Sequence, residues 1–161
     1  MRAFEIVFWL LVGSGIYSLA VYPVLIVILS LFARPRFERR PIRPQVSLII
    51  TAFNEEAGIG AKLANCLALD YPRDRLEILV ASDGSSDGTD AVVLGFAQRG
   101  IRLLRYEGGL GKSLATNRAV AEARGEILVF SDATGIWNPK AIAALVEHFA
   151  DPRVGCVSGR V

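Results

Sequence analysis

Cysteine and histidine are nearly missing from this chain. Cys66, Cys156 and His148 are the whole complement, and each stands apart from the others. Neither a disulfide framework nor a Cys/His metal site is therefore encoded. Both cysteines sit in apolar surroundings and read as small buried residues in a reducing compartment. His148 has no nucleophile near it in sequence and reads as a surface residue. Net charge is scarce too. A formal +2 is too little for a nucleic-acid-binding surface. There is no low-complexity segment and no internal repeat beyond an alternation of apolar and amphipathic stretches.

Charge is absent altogether from Ile6 to Ala33. About 20 apolar residues cross a bilayer core, so this run is long enough with some tilt. Pro23 is tolerated inside such a helix and is expected to kink it. A cleaved signal peptide has a basic start and an apolar region of about 7–15 residues. This run is longer, opens on Arg2 against Glu5, and lacks a small-x-small cleavage site. Residues 1–33 are therefore expected to form a transmembrane signal anchor. Arg34, Arg36, Arg39, Arg40 and Arg43 follow, interleaved with Pro35, Pro41 and Pro44. This linker, residues 34–45, should be extended. Its positive excess places residues 34 onward in the cytoplasm, as part of a single-pass membrane protein.

From residue 46 apolar runs alternate with amphipathic ones. VSLIITAF (46–53) reads as a parallel strand covered on both faces. Ile59, Leu63, Cys66 and Leu67 recur at helical spacing. Leu76–Ala81 is a second strand, followed by DGSSDGT and a helix over about 89–98. Gly84 and Gly88 turn the backbone there, and Ser86 or Asp87 can cap the helix. Ile101–Arg105 is a third strand, YEGGLG a glycine-rich loop, and Lys112 opens an alanine-rich helix. Ile127–Phe130 is the fourth strand. Asn138–Pro139 starts a helix whose buried face is Ile142, Leu145, Val146 and Phe149. Val154–Val157 should begin a fifth strand.

This order predicts an α/β fold, a Rossmann-like parallel sheet with flanking helices. Asn54, Asp83 and Asp132 then share the carboxyl edge of the sheet. If the first and fourth strands are neighbours, the crevice between them is the binding site. Two acids at that edge would repel a diphosphate unless a divalent cation lay between, and Mg²⁺ commonly uses one or two carboxylates plus phosphate oxygens. Lys112 and the free amides of its helix add positive potential. The site therefore suits a nucleotide diphosphate. It is not a P-loop, because Tyr106 stands where the motif requires glycine, and NEEAGIG after the first strand is not a dinucleotide fingerprint. No nucleophile-elbow pattern supports a hydrolase.

VSLIITAFNEE (46–56), LDYPRDRLEILVASDGSSDGT (69–89), GLGKSLATNRAV (109–120) and ILVFSDA (127–133) together resemble the family-2 glycosyltransferases, which have the GT-A fold. The resemblance covers residues 46–161 as a nucleotide-sugar-binding domain. It implies a nucleotide-diphosphate sugar donor, most often UDP-linked, and transfer to an acceptor hydroxyl with inversion. By similarity, Thr51, Asn54 and Glu55 line the base pocket, Asp83 holds uracil or ribose, and Lys112 lies near the nucleotide. Asp132 matches the first acid of the family's D-x-D metal motif, for Mg²⁺ or Mn²⁺. Thr134 replaces the second acid and should weaken the metal's hold. The family's base carboxylate is expected beyond Val161, so the chain reads as the donor-binding half of a longer enzyme. The alternative is a nucleotide-sugar-binding module that does not catalyse. The anchor favours a lipid-linked or polymeric acceptor.

Overall fold

Strand β1, Val46–Ala52, is the centre of the sheet because both of its faces are apolar. Leu48, Ile49 and Ile50 are fully buried, and each contributes about 1.5–3 kcal/mol relative to exposure. The computed structural model describes residues 2–32, 37–109 and 111–159. Arg34 and Arg36 of the linker and Leu110 of the glycine loop lie outside them. The chain divides into two compact units, Met1–Phe37 and Glu38–Val161.

In the first unit, helix α1 (Arg2–Ile16), a π-helical turn (Tyr17–Val21) and helix α2 (Tyr22–Phe32) run on without a break. The run has 31 residues and a mean hydropathy of 2.2. By length and composition it is enough to cross a membrane. Pro23 accounts for the π turn. Proline lacks an N–H and crowds the carbonyl of the preceding turn, and a wider turn just before it relieves the clash. The Tyr22 N–H accordingly bonds to the Tyr17 carbonyl, five residues back.

In the second unit, β2 (Leu76–Asp83), β3 (Ile101–Tyr106) and β4 (Ile127–Asp132) join β1 in the order β3-β2-β1-β4, all parallel. Helices α3 (Glu56–Leu67), α4 (Thr89–Leu94) and α6 (Ala141–Val146) pack on one face. Helix α5 (Lys112–Glu122) packs on the other, where Ala119 meets Ile49, Leu79, Ala81 and Leu104. Small residues let α5 lie close to the strands. The chain leaves β1 toward β2 and β3, then returns past β1 to β4. The direction reverses between β1 and β4, which is where open α/β sheets bind ligands.

At the opposite edge, buried Ser47 donates to Glu77 at 2.6 Å and accepts the Gly125 N–H at 2.8 Å. A Cβ on Gly125 would stand 2.3 Å from the Ser47 nitrogen, so only glycine fits. The linker is anchored to this unit as well. Tyr71 donates to the Pro44 carbonyl at 2.7 Å, and the Arg43 guanidinium lies 5.8 Å from the Tyr71 ring centre.

Four expectations need correction. Residues 154–157 form no strand. A strand needs a ladder partner, and among the described residues none of the four strands pairs with this stretch. Cys156 lies in it and is exposed, whereas Cys66 is buried. His148 is half-buried rather than fully at the surface. The helix expected over 89–98 stops at Leu94, and a 3₁₀ turn, Ala97–Arg99, follows the Gly95 interruption.

Candidate functional site

The carboxyl ends of β1, β2 and β4 open onto one cleft of about 640 Å³. Thr51 and Asp132 are register partners across β1 and β4, and Thr51 pairs with Ala81 across β1 and β2. Asp83 ends β2. Thr51, Glu55, Asp83, Lys112 and Asp132, distant in sequence, all line this cleft, with Gly111 and Thr134 beside them. Asn54 does not. It lines a neighbouring cavity of about 510 Å³ with Glu55, Glu56 and Asp87.

Asn54 is engaged in holding loops together. It adopts a left-handed conformation, φ 54°, which asparagine tolerates. Its Oδ1 accepts the Ser86 N–H at 2.9 Å, and its own N–H donates to Ser85 Oγ at 3.1 Å. Close by, the Glu55 N–H donates to Thr89 Oγ1 at 2.8 Å, and the Glu56 N–H donates to Asp87 at 3.1 Å. Asp87 also accepts the Thr89 N–H at 3.0 Å, so it is Asp87 that ties down the start of α4. The loops after β1 and β2 therefore form one laced rim.

Two contacts join the glycine loop to that rim. Asp83 Oδ2 accepts the Gly111 N–H at 2.8 Å. Gly84, at φ +68°, lies so close to Gly108 that an added Cβ would come within 2.3 Å of the Gly108 Cα. Both strain and space thus require glycine there. Lys112 then reaches across the cleft, its Nζ 2.5 Å from Asp132 Oδ1. Both side chains are largely exposed, so the pair is free to exchange partners.

The cation-binding capacity of this rim follows from its donors. Asp132 offers one exposed carboxylate, and Thr134 a neutral hydroxyl. Among the described residues no cluster of three or more His, Cys, Asp or Glu side chains is arranged to hold a metal. The described residues alone thus do not make a complete protein shell. One carboxylate supplemented by diphosphate oxygens is nevertheless an ordinary way to hold Mg²⁺, and the donors fit that mode.

A family model described as "Glycosyl transferase family 2" matches residues 47–161. The chain belongs to glycosyl transferase family 2. Beta-monoglucosyldiacylglycerol synthase of Synechocystis sp. is 35% identical over 121 residues, covering 73% of this chain and 25% of that protein. The mannosyltransferase PcManGT of Pyrobaculum calidifontis, solved with GDP-Man and Mn²⁺, superposes with a TM-score of 0.78 at 30% identity. That likeness covers 92% of this chain and 46% of the mannosyltransferase. TarS 1-349 of S. aureus, solved with UDP-GlcNAc, gives 0.57 at 27% identity over 63% of this chain and 31% of its own. The chain thus spans a quarter of the curated relative. As a family-2 domain it has the expected GT-A parallel sheet, and Glu55, Asp83, Lys112 and Asp132 of the motif segments stand at its carboxyl edge.

Sequence reasoning missed the two side chains that support this edge from below. Lys62 and Asn65 of α3 both bond to the segment after Asp132. A signal was present: Lys62 falls on the stripe defined by Ile59, Leu63 and Cys66, where a charged residue is out of place.

Proposed function

We propose that this chain is the donor-binding part of a membrane-anchored glycosyltransferase. It would bind a nucleotide-diphosphate sugar, UDP-linked by family resemblance, for inverting transfer to an acceptor hydroxyl. The observation that carries this reading is the gathering of Thr51, Glu55, Asp83, Lys112 and Asp132 around one cleft at the topological switch point. Neighbouring structures hold GDP-Man, Mn²⁺ and UDP-GlcNAc, which supports the donor class and a divalent cation.

In this reading Thr51 and Glu55 border the base, and Asp83 accepts hydrogen bonds from base or ribose. Asn54 acts through the Ser86 turn, holding the rim in shape. Lys112 leaves Asp132 and pairs with the diphosphate, while the first-turn amides of α5 add partial positive charge. Asp132, helped by Thr134, holds the cation. Bound there, Mg²⁺ or Mn²⁺ would neutralise charge on the diphosphate as it leaves. Inversion follows if the acceptor attacks the anomeric carbon opposite the diphosphate.

The helix Arg2–Phe32 supplies the anchor, and the arginines after it favour a cytoplasmic site. An anchored cleft meets acceptors held at a membrane. A lipid-linked or polymeric acceptor is therefore the reading we adopt, and the name of the Synechocystis relative supports a lipid.

Thermal unfolding of the detergent-solubilised chain tests the donor reading. UDP with Mn²⁺ at about 100 times Kd stabilises by about 2.7 kcal/mol, a rise in Tm of several degrees. GDP serves as the base control, and Asp83→Ala abolishes the rise. No shift with any nucleoside diphosphate would sink the reading.

A further inference from the structure

Lys62 is fully buried, with 0% of its surface exposed. A buried ammonium is unfavourable unless polar groups meet it. Those meeting Lys62 belong to the stretch just after Asp132. Its Nζ donates to the Gly135 carbonyl at 2.5 Å and lies 4.5 Å from the centre of the Trp137 ring. Burial pushes its pKa below the ordinary lysine value, while Cys66 and Asp132 pull it upward. One turn along α3, Asn65 makes two further bonds to that stretch. Its Nδ2 donates to the Trp137 carbonyl and its Oδ1 accepts the Trp137 N–H, both at 2.9 Å.

A leucine or methionine would fill the space under the loop without burying charge. The charge therefore serves something other than packing. What it does in the structure is fix the backbone that leaves Asp132. Two residues after Asp132 stands Thr134, a neutral hydroxyl, so within this segment Asp132 is the one carboxylate whose placement matters to a cation.

We propose that Lys62 and Asn65 form a two-point clamp that sets where Asp132 and Thr134 stand relative to the donor diphosphate. Both are positioning residues, and the clamp rests on the donor reading above. It acts on the metal-dependent part of donor binding. The base side of the cleft, around Thr51, Glu55 and Asp83, is held by other contacts and stays unaffected.

UDP titrations of the full chain with and without Mn²⁺ separate these effects. In Lys62→Met the metal-free Kd stays within about twofold of wild type, while the gain in UDP affinity from Mn²⁺ falls about tenfold, as for other groups that orient a metal ligand. In Asn65→Ala the gain falls about threefold, from loss of the paired hydrogen bonds. If Lys62→Met does not fold, Asn65→Ala decides alone. A full Mn²⁺ gain in the variants overturns the clamp. So does an equal loss with and without Mn²⁺, which is what a merely structural role produces. Wild type that binds UDP with no gain from Mn²⁺ overturns the clamp but leaves the donor reading standing. Wild type that binds no UDP at all removes both.

Discussion

Replacing Lys112 with methionine should have opposite effects on two ligands. The Lys112 ammonium lies 2.5 Å from Asp132 Oδ1, and the two side chains are 69% and 67% exposed. So exposed a pair is worth about 0–1 kcal/mol, and folding stability should move by no more than that. Binding is where the charge matters. The ammonium sits on one oxygen of the Asp132 carboxylate, so a cation bound by that carboxylate has it as a close neighbour. In water a dication about 5 Å from an ammonium is repelled by about 1.7 kcal/mol, which salt screening reduces to roughly 1 kcal/mol. Lys112→Met should therefore bind Mn²⁺ alone about fivefold more tightly. With a diphosphate present the sign reverses. A hydrogen bond to a charged group is worth about 1.5–3 kcal/mol, so UDP with saturating Mn²⁺ should bind at least about tenfold more weakly. Electron paramagnetic resonance of free Mn²⁺ reads the first effect, and calorimetric titration with UDP reads the second. Shifts in the same direction, or no shift in either, would refute the exchange of partners.

Two further predictions concern stability. Gly125→Ala forces a Cβ against the Ser47 backbone and breaks the bond from Gly125 to Ser47 Oγ. Overpacking plus one lost hydrogen bond comes to about 3 kcal/mol, or roughly 10 °C in Tm, and a calorimetric Tm within a degree or two of wild type would contradict this. Acid should also destabilise the domain. Burial alone would raise the Glu77 carboxyl, but hydrogen bonds from Ser47, the Arg124 N–H and Arg102 outweigh it and hold it below its ordinary value. The Arg153 side chain and backbone hold Asp151 well below the usual range. The unfolded chain therefore takes up these protons first. Their stabilisation is complete above the ordinary carboxylate range and is lost as pH falls through the lowered values. Tm should be flat above about pH 5, fall below about pH 4, and fall less steeply in Glu77→Gln. A Tm unchanged down to about pH 3 would contradict the assignment.

The strands were legible because a parallel strand buried on both faces carries a continuous apolar run, as in Leu48–Ile50 and Ile78–Ala81. Their alternation with helical spacing also made the carboxyl edge legible, and with it Asp83, Lys112 and Asp132, whereas Thr51 and Glu55 were marked as site residues by the family resemblance. The next level was hidden for physical reasons. Whether Val154–Val157 becomes a strand depends on a ladder partner, and no local pattern supplies one. The Asn54 side chain turns to Ser86 because the β2–α4 turn comes within reach, a contact 32 residues away in sequence. Lys62 falls on the buried stripe of α3, but the groups that meet it there, the Gly135 carbonyl and the Trp137 ring, belong to a segment more than 70 residues away. Contacts between distant segments decided all three.

Hydrogen exchange of the full chain with and without UDP and Mn²⁺ tests most directly whether these strand ends hold one ligand. Protection should increase together at 51–55, 83–84, 111–112 and 132–134, and stay unchanged on the far edge around Ser47 and Gly125. Protection confined to a single segment, or none at all despite saturating UDP, would contradict it.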